Sequence, residues 1–136
     1  MVEPRAAPGL ITAPISVGDL LDKITILEIK SERIGDPAKL ENIRSELDLL
    51  RNVWVQRGEP RPGFDKLIDD LKKTNEQLWT IEDEIRDCER DRHFGPRFIE
   101  LARSVYRTND HRYELKRRIN ELAGSGIVEE KSHRAY

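Results

Sequence analysis

The chain has 136 residues, enough for one domain with a small core, and it is 37% charged against 6% aromatic, the balance of an elongated helical protein. A net charge of −2 supplies no basic field for nonspecific nucleic-acid binding, and a single cysteine excludes disulfide scaffolds and cysteine-rich zinc sites. No apolar run approaches the ~20 residues of a membrane span, and Pro4, Pro8 and Pro14 break any signal-peptide core, so a cytoplasmic protein is expected.

Residues 1–15 read as an extended N-terminal arm whose Leu10, Ile11 and Ile15 are candidates to lie in a groove of the fold. Ser16 is a good N-cap, with Asp19 as an acid in the first turn, and a helix is expected over about 17–34. Val17, Leu20, Leu21, Ile24, Leu27 and Ile34 form one stripe on it, while Ile26 and Ile29 lie off the stripe. A helix that is apolar on more than one side belongs in the centre of a bundle or meets a partner beyond its own chain.

Gly35-Asp36-Pro37 stops that helix and starts the next, over about 37–57, because Asp caps well and Pro suits the first helical position. Its face is Leu40, Ile43, Leu47, Leu50 and Trp54, widened by Leu49 and Val53. The run Gly58-Glu59-Pro60-Arg61-Pro62-Gly63 is the strongest breaker in the chain and separates a short hairpin from a long one.

The long hairpin is written in two ladders. Phe64, Leu67, Leu71, Thr74, Leu78, Ile81, Ile85 and Cys88 step by three and four, and so do Phe98, Leu101, Val105, Thr108, Arg112, Leu115, Ile119 and Leu122. Helices are expected over about 63–92 and 96–123, joined through His93-Phe94-Gly95-Pro96, where the glycine accepts positive φ. If Cys88 faces Phe98, the ladders pair antiparallel from end to end, and Thr74, Thr108 and Arg112 fall into one polar layer. From Asp65 to Asp91 acids outnumber bases ten to five, and from Arg103 to Arg118 bases outnumber acids six to two, which favours this pairing. Gly124-Ser125-Gly126 ends the helices and leaves a polar tail, 127–136. The fold class is therefore all-α: a single helical domain, 16–126, in which a short helical hairpin packs against a long antiparallel one with a coiled-coil-like seam.

Several strings resemble a family of short bacterial helical proteins of unknown function. They are Ile15-Ser16-Val17-Gly18-Asp19-Leu20-Leu21-Asp22-Lys23-Ile24-Thr25 continuing to Lys30, Asn75-Glu76-Gln77-Leu78-Trp79 continuing to Arg86, Ala102 to Asp110, and Glu129-Glu130-Lys131-Ser132. The resemblance spans nearly the whole chain. It implies a soluble bacterial protein, loosely associated with genes for cell-surface polysaccharide, and it brings no catalytic residue.

Two constellations are candidates for chemistry. In the polar layer, Arg112 with Thr74, Thr108, Asn75 and Asn109 has the donors for a carboxylate or phosphate. The plainer reading is a register lock, with Arg112 paired to a carboxylate of the first two helices. On the flank, Trp79, Glu82 and Arg86 face Arg103 and Tyr106, which suits either a polar small molecule or interhelical ion pairs, Glu82 with Arg103 and Arg86 with Glu100. The run Lys116-Arg117-Arg118 reads as a solvated helix face. The three histidines have no ligand spacing, so no metal is expected, and no motif calls for a cofactor.

The preferred function is a structural or interaction protein that forms a homo-oligomer, a dimer being simplest, or meets a helical protein partner. The alternative is a small all-α enzyme or binding module for an anionic metabolite such as a sugar phosphate, a nucleotide or a carboxylate.

Overall fold

In a computed structural model, residues 8–58 and 62–136 are described. They form four helices and no strand: α1 (Val17–Arg33), α2 (Pro37–Arg57), α3 (Phe64–Asp91) and α4 (Pro96–Ala123). Met1 to Ala7 of the expected arm, and Glu59, Pro60 and Arg61 of the breaker, lie outside the described residues. Among the described residues no helix is long and apolar enough to cross a membrane.

The caps explain the starts. The Ser16 hydroxyl accepts the Asp19 amide at 3.1 Å, and the Asp36 carboxylate accepts the Lys39 amide at 3.2 Å with Pro37 in the first turn. The end of α3 differs from expectation. Arg92, not Gly95, takes the left-handed conformation (φ 56°), and its amide and that of His93 close on Glu89 and Cys88 carbonyls. Gly95 is extended and sits just before Pro96 at the head of α4. A left-handed arginine costs about 1 kcal/mol relative to glycine.

α3 and α4 are antiparallel: Arg97 pairs with Glu84 near the turn, and Leu122 lies against Gly63 at the other end. α1 is the central element and packs on all three other helices. α2 packs as a helix on α1 alone, with the Trp54 ring set edge-on against Phe64 at 5.6 Å. The short hairpin therefore meets the long one mainly through α1. Ile26 and Ile29 lie off the stripe for that reason: α1 has neighbours on more than one side.

The core joins Val17, Leu20, Leu21, Ile24 and Leu27 of α1 to Leu47, Phe64, Leu71, Leu115, Ile119 and Ala123. Each Val, Leu, Ile or Phe side chain among them, fully buried, contributes roughly 1.5–3 kcal/mol. The core stops at Leu71 on α3 and Leu115 on α4. Beyond it both helices run on for roughly 30 Å, at ~1.5 Å per residue, as a two-helix arm. Among the apolar residues of that arm, Leu78, Ile81, Ile85, Phe98 and Val105 are half-buried and only Leu101 is fully buried. Leu10, Ile11 and Ile15 occupy no groove; all three are exposed, Ile11 at 93%. Leu49 and Val53 of α2 are exposed as well.

Candidate functional site

The site is built where α1 crosses the hairpin. The first turns of α1 offer Gly18, Asp19 and Asp22, while α4 offers Asn120, Lys116 and Arg112, one residue per helical turn. The three pairs meet in order. The Gly18 amide donates to Asn120 Oδ1 at 2.7 Å. Lys116 Nζ lies 2.9 Å from Asp19 and 3.0 Å from Glu129 of the tail. Arg112 donates through Nε (2.9 Å to Oδ1) and Nη2 to both oxygens of Asp22. Glycine at 18 is a matter of space: a Cβ there would lie 2.8 Å from the Lys116 carbonyl oxygen and 2.9 Å from Asn120 Oδ1.

Asp22 is the hub. Its side chain is 7% exposed, and a buried carboxylate survives only when paired and hydrogen-bonded. Besides Arg112 it accepts from Asn75 Nδ2 at 3.0 Å. The second hydrogen of that amide goes to Thr25 Oγ1 at 3.0 Å, and Thr25 donates to the Asp22 carbonyl at 2.9 Å. The hydrogen bonds to Asp22 hold the Arg112 guanidinium above its ordinary value. Burial alone would lower the Lys116 ammonium, but hydrogen bonds to Asp19 and Glu129 raise it overall.

Beside this network lies an open cleft of about 490 Å³, lined by Ile26, Ile29, Asn75, Leu78, Trp79, Glu82, Asp83, Arg86 and Arg112. Its floor is apolar and its rim is charged. Arg86 pairs with Glu82 at 3.1 Å on the rim. Arg33 lies over the Trp79 ring, 5.8 Å from its centroid, and is not among the residues lining the cleft.

The expected constellations are redistributed. Arg112 and Asn75 of the polar layer meet here, and Asn109 receives Arg112 Nη1 only at 3.5 Å. Thr74 is buried but donates to the Asp70 carbonyl of its own helix, at 2.8 Å. Thr108 lines a separate shallow groove with Thr80, Ile81 and Ser104. Arg112 thus leaves the α3–α4 seam for Asp22, and the layer does not form. Of the flank, Trp79, Glu82 and Arg86 line the cleft, but the expected cross-pairs are absent. Glu82 binds Arg86, and Arg103 binds Glu100 at 3.2 Å, each within one helix. Tyr106 is elsewhere, edge-on to Tyr136 at 4.9 Å.

The tail and Lys116 also depart from the sequence reading. Lys116 points into the bundle and is 8% exposed, so only Arg117 and Arg118 of the basic run form a solvated face. The polar tail lies along α4: the Tyr113 hydroxyl donates to the Glu129 carbonyl at 3.0 Å, and the Tyr136 hydroxyl to Asp110 at 2.7 Å. Lys131 sits 5.2 Å from the Tyr113 ring centroid. Sequence reasoning missed Asp22, Thr25, Gly18 and Asn120. The available signal was Asp22 and Thr25 at positions i and i+3 beside the apolar residues Leu21, Ile24 and Ile29 of α1, where a buried carboxylate requires a cation. Among the described residues no group of three or more His, Cys, Asp and Glu is placed to hold a metal ion.

A family model described as a family of unknown function (DUF6165) matches residues 11–135, so the chain belongs to that family. No curated protein and no solved structure matches it.

Proposed function

We propose that this family member is an interaction protein, a helical body carrying an arm through which it self-associates, with a dimer as the simplest assembly. The observation that carries the reading is the end of the core at Leu71 and Leu115. Past the α1 contacts at Asn75 and Trp79 and the tail contacts at Tyr106 and Asp110, α3 and α4 pair with each other, and a pair of helices buries one seam and leaves both flanks of its apolar residues open. Leu78, Ile81, Ile85, Phe98 and Val105 are accordingly half-buried. A coiled-coil-like pairing with the arm of a second copy would convert two such seams into a four-helix core. The charges favour that partner. Over residues 78–91 the α3 half of the arm carries six acids to two bases, and over 97–107 the α4 half carries three bases to one acid, so a two-fold arrangement that lays α3 of one copy beside α4 of the other sets opposite charges together twice.

The anionic-metabolite reading has less support, because the Arg112 guanidinium it relies on is committed to Asp22. The cytoplasmic setting and the link to cell-surface polysaccharide belong to the proposal, with the protein holding other components together rather than transforming a substrate. Light scattering on a sizing column tests it. The expected mass is twice the 15.8 kDa of the chain, falling toward 15.8 kDa in Leu78→Asp/Ile85→Asp. A mass of 15.8 kDa for the unmodified protein at every concentration would overturn self-association.

A further inference from the structure

In the cleft beside Trp79 both guanidiniums are already charge-paired. Arg112 donates two hydrogen bonds to Asp22, and Arg86 is paired with Glu82. What remains is of the opposite kind. Asn75 is 5% exposed and turns both hydrogens of its amide to Asp22 and Thr25. Its Oδ1, the other branch of that amide, has no partner among the described residues, yet Asn75 forms part of the cleft wall. A buried carbonyl oxygen left unpaired is unfavourable, so a ligand that donates to it binds with that advantage. Asp83, on the same wall, has no ion-pair partner among the described residues and is the cleft's uncompensated charge. The Trp79 indole, with Arg33 over one face of its ring, lines the cleft as an electron-rich wall, and Ile26, Ile29 and Leu78 supply an apolar floor.

We propose that the cleft formed by Asn75, Trp79, Asp83 and the Ile26–Ile29 floor binds a small free organic cation, an ammonium or guanidinium group on an apolar stem. The cationic head donates to Asn75 Oδ1 and is balanced by Asp83, and the stem lies against the isoleucines and the indole. A volume of about 490 Å³ falls within the range of small-molecule sites. The inference goes beyond the self-association reading; because Leu78 belongs both to the cleft floor and to the proposed arm surface, the probes are compared at one fixed protein concentration.

The test is a matched pair of probes, phenethylammonium and 3-phenylpropionate, which share a body and differ in the sign of the head. The readout is the indole N–H resonance of Trp79, identified by its loss in Trp79→Phe, with Trp54 as the internal control. Phenethylammonium is expected to move the Trp79 resonance to saturation while Trp54 and the carboxylate probe show nothing comparable. Asp83→Asn changes an exposed side chain and is expected to weaken the ammonium about two- to fivefold, the effect of one exposed charge. Equal shifts from both probes, no shift from either, or an unchanged affinity in Asp83→Asn would overturn the proposal.

Discussion

Removing Arg112 is expected to be costly, and removing Arg112 together with Asp22 much less so. Arg112→Met takes two of the three side-chain hydrogen bonds from a carboxylate that is 7% exposed, leaving Asn75 Nδ2 as its remaining side-chain donor. Breaking a buried ion pair by deleting one partner costs about 3–5 kcal/mol. The Arg112 side chain is 30% exposed, so water can reach the vacated position, and the expectation is lowered to about 2–4 kcal/mol. In Asp22→Leu/Arg112→Met no charge is stranded, and a loss of roughly 1 kcal/mol is expected, mostly from the Asn75 amide losing an acceptor. The coupling in the double-mutant cycle should then be about 2 kcal/mol or more. Urea denaturation followed by helical circular dichroism measures all four proteins, and for a chain of this size 2–4 kcal/mol lowers Tm by roughly 6–15 °C. Additive single effects, or an Arg112→Met cost below about 1 kcal/mol, would refute the claim that this pair locks α1 onto the hairpin.

Gly18→Ala is expected to destabilise by about 1–3 kcal/mol in the same assay, because its Cβ would enter the space held by the Lys116 carbonyl and the Asn120 amide. Arg92→Gly is expected to stabilise by up to about 1 kcal/mol, since it relieves a left-handed arginine at the end of α3; a loss of stability would contradict that cap. Lys116 predicts an alkaline signature. Its value is raised in the folded state, so its contribution is complete below the unfolded lysine value of about 10.4 and is lost as pH rises through the folded value. The difference in Tm between the native protein and Lys116→Met should therefore be constant near neutrality and close above about pH 10.5. A difference that persists at higher pH would show that Lys116 acts by packing alone.

The helices were legible because their signals are local. Ser16, Asp36 and Pro37 satisfy amides within one turn, and the ladders of α3 and α4 repeat at helical spacing whatever they pack against. The site was legible only in part, for the opposite reason. Asp22 and Arg112 are separated by 90 positions, and nothing local to either says that α1 crosses α4 at that level. The ladder register put Arg112 opposite Thr74, but α1 offered a carboxylate at the edge of the seam, and a guanidinium gains more there than beside two hydroxyls. Glu82 and Arg86 show the reverse error: partners one turn apart on the same helix win over partners across a seam. The tail's place along α4 rests on Tyr113, Lys116, Tyr106 and Asp110, contacts that no periodicity announces.

The arm is where the proposed assembly is most exposed to test. Backbone hydrogen exchange, measured on dilute and on concentrated protein, reads it directly over residues 78–91 and 98–108. The account predicts that these amides are weakly protected when dilute and gain protection as concentration rises, while Leu71, Leu115 and Ile119 in the core stay protected throughout. Protection of the arm that is the same at both concentrations would contradict it.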